Sequence, residues 1–232
     1  MIKVLQQNKF LRLVFFNRQE MEQWLILSAL FSIGLLFFRA LVTRDLFFFF
    51  LPWNLFLAFI PYAISQWLGS RIDIIEKKVP FFATLFLWLL FVPNSFYIIT
   101  DLFHLGKGGD VPRWYDLALI FSFAWNGLVL GALSVRRMER ILCARYPFLN
   151  GLWFVIPIMG LNALGIYIGR YLRFNSWDVL TDPLSLASDI IQLMIHPLRQ
   201  NRDWGMILSF TILLVLIYEG MKKAAKAAVV EK

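Results

Sequence analysis

Six long apolar segments constrain this chain more than any other feature. They fall at about residues 22–41, 46–69, 80–103, 115–136, 150–171 and 204–220. Each is close to the roughly 20 residues that an α-helix needs to cross the hydrocarbon core of a bilayer. Composition agrees, because 59% of the 232 residues are hydrophobic, 16% are charged, and there are 24 Phe and 9 Trp. A soluble domain carries about 25% charged residues, and one of this length has too little interior for so many rings. Lipid accepts apolar surface on every side of a helix. The sequence therefore predicts an all-α polytopic membrane bundle of six transmembrane helices. A transmembrane domain over 22–220 is flanked by a basic cytoplasmic N-terminal segment, 1–21, and a basic cytoplasmic tail, 221–232. Pro52, Pro61, Pro93 and Pro157 lie inside the spans, where neighbouring helices can satisfy the carbonyls they release.

Lys and Arg set the expected orientation. With both termini on the inner side, fifteen of the 23 Lys and Arg fall inside and the other eight outside. The excess favours cytoplasmic termini. The net charge of +8 then reads as a topology signal and a match to anionic lipid. It does not read as nucleic-acid binding, which would interleave basic residues with exposed aromatics on a soluble face. Cys143 stands alone, so neither a disulfide framework nor a thiolate metal site is expected. No cleavable signal peptide is visible. Phe10, Leu11, Val14 and Phe15 cluster at helical spacing, as in an interfacial helix, although a frayed basic tail fits equally well.

One external loop, 172–203, is long. Asp182-Pro183 makes a helix start, with Asp as cap and Pro in the first turn. Leu184, Ala187, Ile191, Met194 and Ile195 follow at helical spacing, Ser185, Ser188, Asp189, Gln192 and His196 take the other side, and Pro197 stops the run. A helix over 183–196 is too short to span a bilayer, so an outer interfacial helix is expected.

Two stretches hold the candidate chemistry. The third span ends in PNSFYIITDLFH, residues 93–104. At 100° per residue, Asn94, Tyr97, Asp101 and His104 fall within about 80° of one helix face. Ionisable groups in a membrane helix are costly and normally face the bundle interior or water. The fifth span leaves through RYLRFNSWD, residues 170–178. Arg170 and Arg173 share a face at the expected level of Asp101 and His104. Two guanidinium groups beside a carboxylate and an imidazole suit a phosphate or carboxylate ligand. Alternatively, the arginines neutralise Asp101 and Asp178. The expected contact is direct or one-water hydrogen bonding between Asp101 and Arg170 or Arg173.

The runs PNSFYIITDLFHL and RYLRFNSWD resemble the signature segments of a bacterial integral-membrane family, domain-of-unknown-function family 1361. The resemblance extends from the second span to the last. It implies a bacterial inner-membrane setting and singles out Asn94, Asp101, His104, Arg170, Arg173, Asn175 and Trp177. It implies neither a substrate nor a reaction.

Other polar or small residues have plainer readings. Gly127 with Gly131, and Gly165 with Gly169, have the spacing of helix-packing surfaces. Asn54 and Asn126 suit interhelical hydrogen bonds. No HExxH, GxSxG, Walker or Rossmann pattern is present, and two histidines cannot make a three-His zinc site. No metal and no cofactor are expected. Three functions stay open. The first is an outward-facing polar pocket, with Asn94, Tyr97, Asp101, His104, Arg170, Arg173, Asn175 and Trp177 binding an anionic small molecule or lipid headgroup for transport or handover. The second is an accessory or structural subunit with a protein partner in the membrane. The third is a membrane hydrolase or transferase acting on a lipid or lipid-linked substrate, with Asp101 or His104 as acid/base.

Overall fold

The computed structural model describes residues 18–107, 111–148, 151–174, 178–195 and 201–230. Helix α1 is Arg18–Thr43. A short 3-10 turn, Phe47–Phe49, leads into α2, Phe50–Gly69. The small helix α3, Ile72–Glu76, precedes α4, Lys78–Tyr97, which tightens into a 3-10 segment, Ile98–His104. Helix α5 is Arg113–Arg145, and α6 is Leu152–Tyr167, ending in a π turn, Ile168–Leu172. Two short helices, α7, Asp178–Thr181, and α8, Pro183–Ile195, precede α9, Asn201–Val230. No strand occurs among the described residues.

Six of these helical stretches are long and apolar enough to cross a membrane: Met21–Thr43, Phe47–Gly69, Lys78–His104, Arg113–Arg145, Leu152–Leu172 and Asn201–Ala227. They coincide with the six segments expected from the sequence, so the fold is the predicted all-α multi-pass bundle. The fourth and sixth helices are longer than the apolar runs that mark them. Helix α5 continues past residue 136 because Met138, Glu139 and Leu142 are buried on one side of an amphipathic extension.

Helix α5 is the central element, with 72% of its apolar window buried, against 17% for the first and last spans. It packs against α1, α2 and α4; α4 also meets α2 and α6, and α6 carries α9. Small residues permit the close approach. A Cβ on Gly165 would come within 2.6 Å of the Pro93 ring, and one on Gly131 within 2.9 Å of Phe96 and Ser95. Polar side chains then link the helices. The Trp88 indole N–H donates to Ser134 Oγ at 2.8 Å, and the Ser134 hydroxyl donates to the Pro61 carbonyl at 2.8 Å, joining α4, α5 and α2. Asn126 donates to Ser32 Oγ at 3.2 Å, joining α5 to α1. Each bond satisfies a group that lipid could not.

Helix α8 matches the fourteen-residue expectation up to Ile195; His196 and Pro197 lie outside the described residues. Leu193 is buried, and its carbonyl accepts from the Trp204 indole at 3.1 Å. Leu184, Ile191, Met194 and Ile195 are exposed. The apolar stripe of α8 thus faces away from the protein, as a helix lying along a bilayer surface requires.

Candidate functional site

The end of α4 departs from the regular helix that the sequence pattern assumes. From Ile98 to His104 the chain winds as a 3-10 helix, about 120° per residue instead of 100°. Thr100 contributes, its hydroxyl donating to the Tyr97 carbonyl at 2.7 Å. Glycine at position 127 lets this segment sit against α5, because any Cβ there would collide with Ile98. The tighter winding divides the expected polar stripe. Asn94 and Tyr97 look toward α6, whereas Asp101 turns toward α2.

Asp101 is 1% exposed. Its Oδ2 accepts a hydrogen bond from the Asn54 amide at 2.8 Å. Among the described residues no direct ion pair joins Asp101 to Arg170 or Arg173, so of the expected direct or one-water contact the direct form is not found, although the Arg170 charge acts on Asp101. The reason is geometric: the 3-10 turn carries the carboxylate to the α2 side, where a lone asparagine in an apolar span meets it. Asn54 was expected to make an interhelical bond, and its partner is the signature aspartate.

Arg170 meets the imidazole instead. Its guanidinium lies 3.4 Å from His104 Nδ1, and its Cζ stands 5.3 Å from the Phe103 ring centroid. The same Nδ1 is 3.2 Å from the Asp101 carbonyl oxygen. A carbonyl only accepts and a guanidinium only donates, so Nδ1 serves one of them at a time, according to its proton. The imidazole ring packs 5.0 Å from Phe50 and 6.0 Å from Phe47, centroid to centroid. Two aromatic residues, one in the 3-10 turn and one at the start of α2, therefore fix His104 on its apolar side.

The π turn at the end of α6 presents Arg170. Such turns insert one extra residue per turn and recur at functional sites. Arg173 ends it in the left-handed conformation, φ 62°, and Phe174 N–H donates back to the Ile168 carbonyl at 3.3 Å. Arg173 is exposed. Gly169, within the turn, allows the Tyr97 ring to close on the backbone, where a Cβ would lie 3.2 Å from it. Asn175 and Trp177 lie outside the described residues.

A cavity of about 380 Å³ opens between α2, α4 and α6 at this end of the bundle. Asn54, Asn94 and Tyr97 supply polar groups to its wall, and Gly165, Gly169 and Phe174 close its α6 side. The rest of the lining is largely apolar, including Trp53, Leu57, Phe86 and Leu161. Asn94 also donates to the Phe91 carbonyl at 3.0 Å. Of the signature residues, the structure places Asn94 and Tyr97 in the cavity wall and Asp101 behind that wall through Asn54, while His104 and Arg170 meet each other and are not among the residues that line the cavity.

Sequence reasoning did not single out Asn54, Trp53 or Phe50 as part of the site. The only available signal was an asparagine within an apolar span, which by itself does not name a partner.

The search of curated proteins and the search of solved structures found no match. A family model described as "Protein of unknown function (DUF1361)" matches residues 53–217, which include α2 from Trp53, all of the signature segments and most of α9. That match takes in well over half of the chain and every element that walls the cavity, and it identifies this multi-pass helical membrane protein as a member of the DUF1361 family.

Proposed function

We propose that the signature cavity binds an amphiphile whose anionic group is a phosphate or carboxylate, as on a lipid headgroup, and that the protein holds it for transport or handover. The observation that carries this reading is the cavity, with an arginine, Arg170, following Gly169 of its wall in the chain. The cavity volume falls in the range of about 300–1,000 Å³ typical of ligand pockets, with mostly apolar walls and a few converging polar groups. Arg170 stands one residue from Gly169 in that wall. Its guanidinium meets the His104 nitrogen and the Phe103 ring, and its charge also acts on Asp101; with five N–H donors it is built to hold an anion as well. Arg173 lies three residues further on. In this reading the apolar body of the ligand occupies the cavity, Asn54, Asn94 and Tyr97 orient it, and the two arginines hold its charge. Asn175 and Trp177, from the same signature, are assigned to the same site.

Native mass spectrometry of the full chain purified in mild detergent tests this. The wild type is expected to retain a bound anionic amphiphile, and Arg170→Gln combined with Arg173→Gln is expected to lose it while unfolding at the wild-type temperature. An unliganded wild type, or equal retention by the variant, would overturn the reading.

One observation favours a second reading, an architectural or accessory role. The Asp101–Asn54 bond is complete without any ligand. On that reading Asp101→Asn lowers stability and leaves ligand retention unchanged; on the binding reading it weakens retention at nearly constant stability.

We also propose that the protein lies in the cell inner membrane with both termini in the cytoplasm, and that the cavity opens to the outer side. The Lys and Arg distribution supports this orientation. Single cysteines introduced into a Cys143→Ser background should be labelled from the cytoplasm within 71–78 and from outside within 105–107. Labelling on the reverse sides would overturn it.

A further inference from the structure

We propose that a second groove, between α1 and α2 and running along α2 from Pro52 to Ser70, binds one phospholipid with its anionic headgroup at the Ser70 end. This inference does not depend on the function proposed above. Helices α1 and α2 both rest on α5, and between them a groove of about 1220 Å³ opens. Leu25, Ile26 and Ile33 line it from α1, Phe56 and Phe59 from α2, and Leu130 from the α5 floor. Ile26, Phe56 and Phe59 are between 46% and 61% exposed, so the groove is open along its side to the surrounding lipid.

Two features commit it to a lipid of one charge type. The first is length. The α5 floor runs from Asn126 to Arg140, about 21 Å at the helical rise of 1.5 Å per residue. That exceeds one leaflet of a hydrocarbon core about 30 Å thick, so an acyl chain lies along it with its headgroup near the end.

The second feature is charge complementarity. The groove ends at Arg137 and Arg140, with Gln66 and Ser70 beside them. Arg137 is held there, its Cζ 5.5 Å above the Tyr62 ring and its Cδ 3.3 Å from where a Gly69 Cβ would stand. Glu22 of α1 lines the same end, so two cations face one carboxylate. The nearest acid on α5, Glu139, receives Arg136, Lys222 and Tyr218, and its charge also reaches Arg140. Arg137 and Arg140 make other contacts as well. Each guanidinium carries five N–H donors, the chemistry that takes a phosphate.

Delipidated full-length protein is mixed with phosphatidylglycerol or phosphatidylcholine in mild detergent, and bound lipid is counted by native mass spectrometry. In an Arg170→Gln, Arg173→Gln background, which removes any lipid of the signature cavity from the count, the protein is expected to keep one phosphatidylglycerol, and adding Arg137→Gln with Arg140→Gln to make it bind about 30-fold more weakly, as for the loss of two basic contacts near a membrane surface. Ala29→Phe in the same background, which fills the groove without changing charge, should lose the lipid too and serves if the variant lacking Arg137 and Arg140 fails to fold. A background protein that keeps no phosphatidylglycerol overturns the proposal, as happens if another part of the chain covers the groove. Equal retention by Ala29→Phe, or equal binding of phosphatidylcholine, also overturns it.

Discussion

Replacing Glu139 by Leu should cost about 3–5 kcal/mol, as for breaking a buried ion pair on one side. Glu139 is 4% exposed, within the last turns of α5. Its Oε1 accepts from Lys222 Nζ at 2.7 Å; its Oε2 accepts from Arg136 at 2.7 Å and from the Tyr218 hydroxyl. Lys222 also reaches Glu219 at 3.1 Å. The main neighbour of α9 is α6; this carboxylate links the far half of α9 to α5 beside the apolar packing of Leu214 and Tyr218 in the core shared with Met138 and Leu142. Leucine would leave a partly buried ammonium, guanidinium and phenol short of their acceptor. Tyr218→Phe removes one donor and leaves the carboxylate two others, so about 1 kcal/mol is expected, the net worth of an ordinary hydrogen bond. Unfolding of the purified protein in detergent, followed by tryptophan fluorescence, separates the two. A Glu139→Leu variant within about 1 kcal/mol of wild type would show that packing, not this cluster, holds α9.

How much of this architecture could be read in advance depends on whether the controlling physics is local. The spans were legible because lipid imposes one rule on each segment separately, a run of about 20 residues with few charges. Helix α8 was legible for the same reason, since Asp182-Pro183 and the apolar spacing after it are local signals. The candidate site was legible as a set of residues, because Asn94, Asp101, His104 and Arg170 are conspicuous in apolar surroundings. Its wiring was not. The predicted stripe assumed 100° per residue, and the 3-10 winding from Ile98 to His104 depends on Thr100 bonding back to Tyr97 and on the space left by Gly127 in a different helix. Asp101 consequently pairs with Asn54, 47 residues away. Arg39 shows the same limit. In the sequence it counted only as one of the outer cations, near the end of a span, whereas in the structure it is 1% exposed and paired 77 residues away.

That Arg39 pair carries the other large expected effect. Arg39 Nε donates to Asp116 Oδ1 at 2.7 Å, and the side chains are 1% and 3% exposed. The guanidinium carbon also lies 4.4 Å above the Phe48 ring, and Nη1 is 3.6 Å from Asp45. The pair thus joins α1, the turn before α2 and the start of α5 at the cavity end of the bundle. Arg39→Met leaves the Asp116 carboxylate buried without its cation, and Asp116→Leu leaves the guanidinium buried without its main anion. Each single change should cost about 3–5 kcal/mol. The double variant should cost much less than either single one, within about 1 kcal/mol of wild type, because apolar side chains of similar volume need no desolvation of charge. Unfolding of all four proteins in one detergent closes the cycle. If the two single losses simply add in the double variant, the residues act independently and the ion pair is not what fixes α1 to α5. If the double variant recovers, the charges contribute little net stability, and their value lies in selecting one register of α1 against α5.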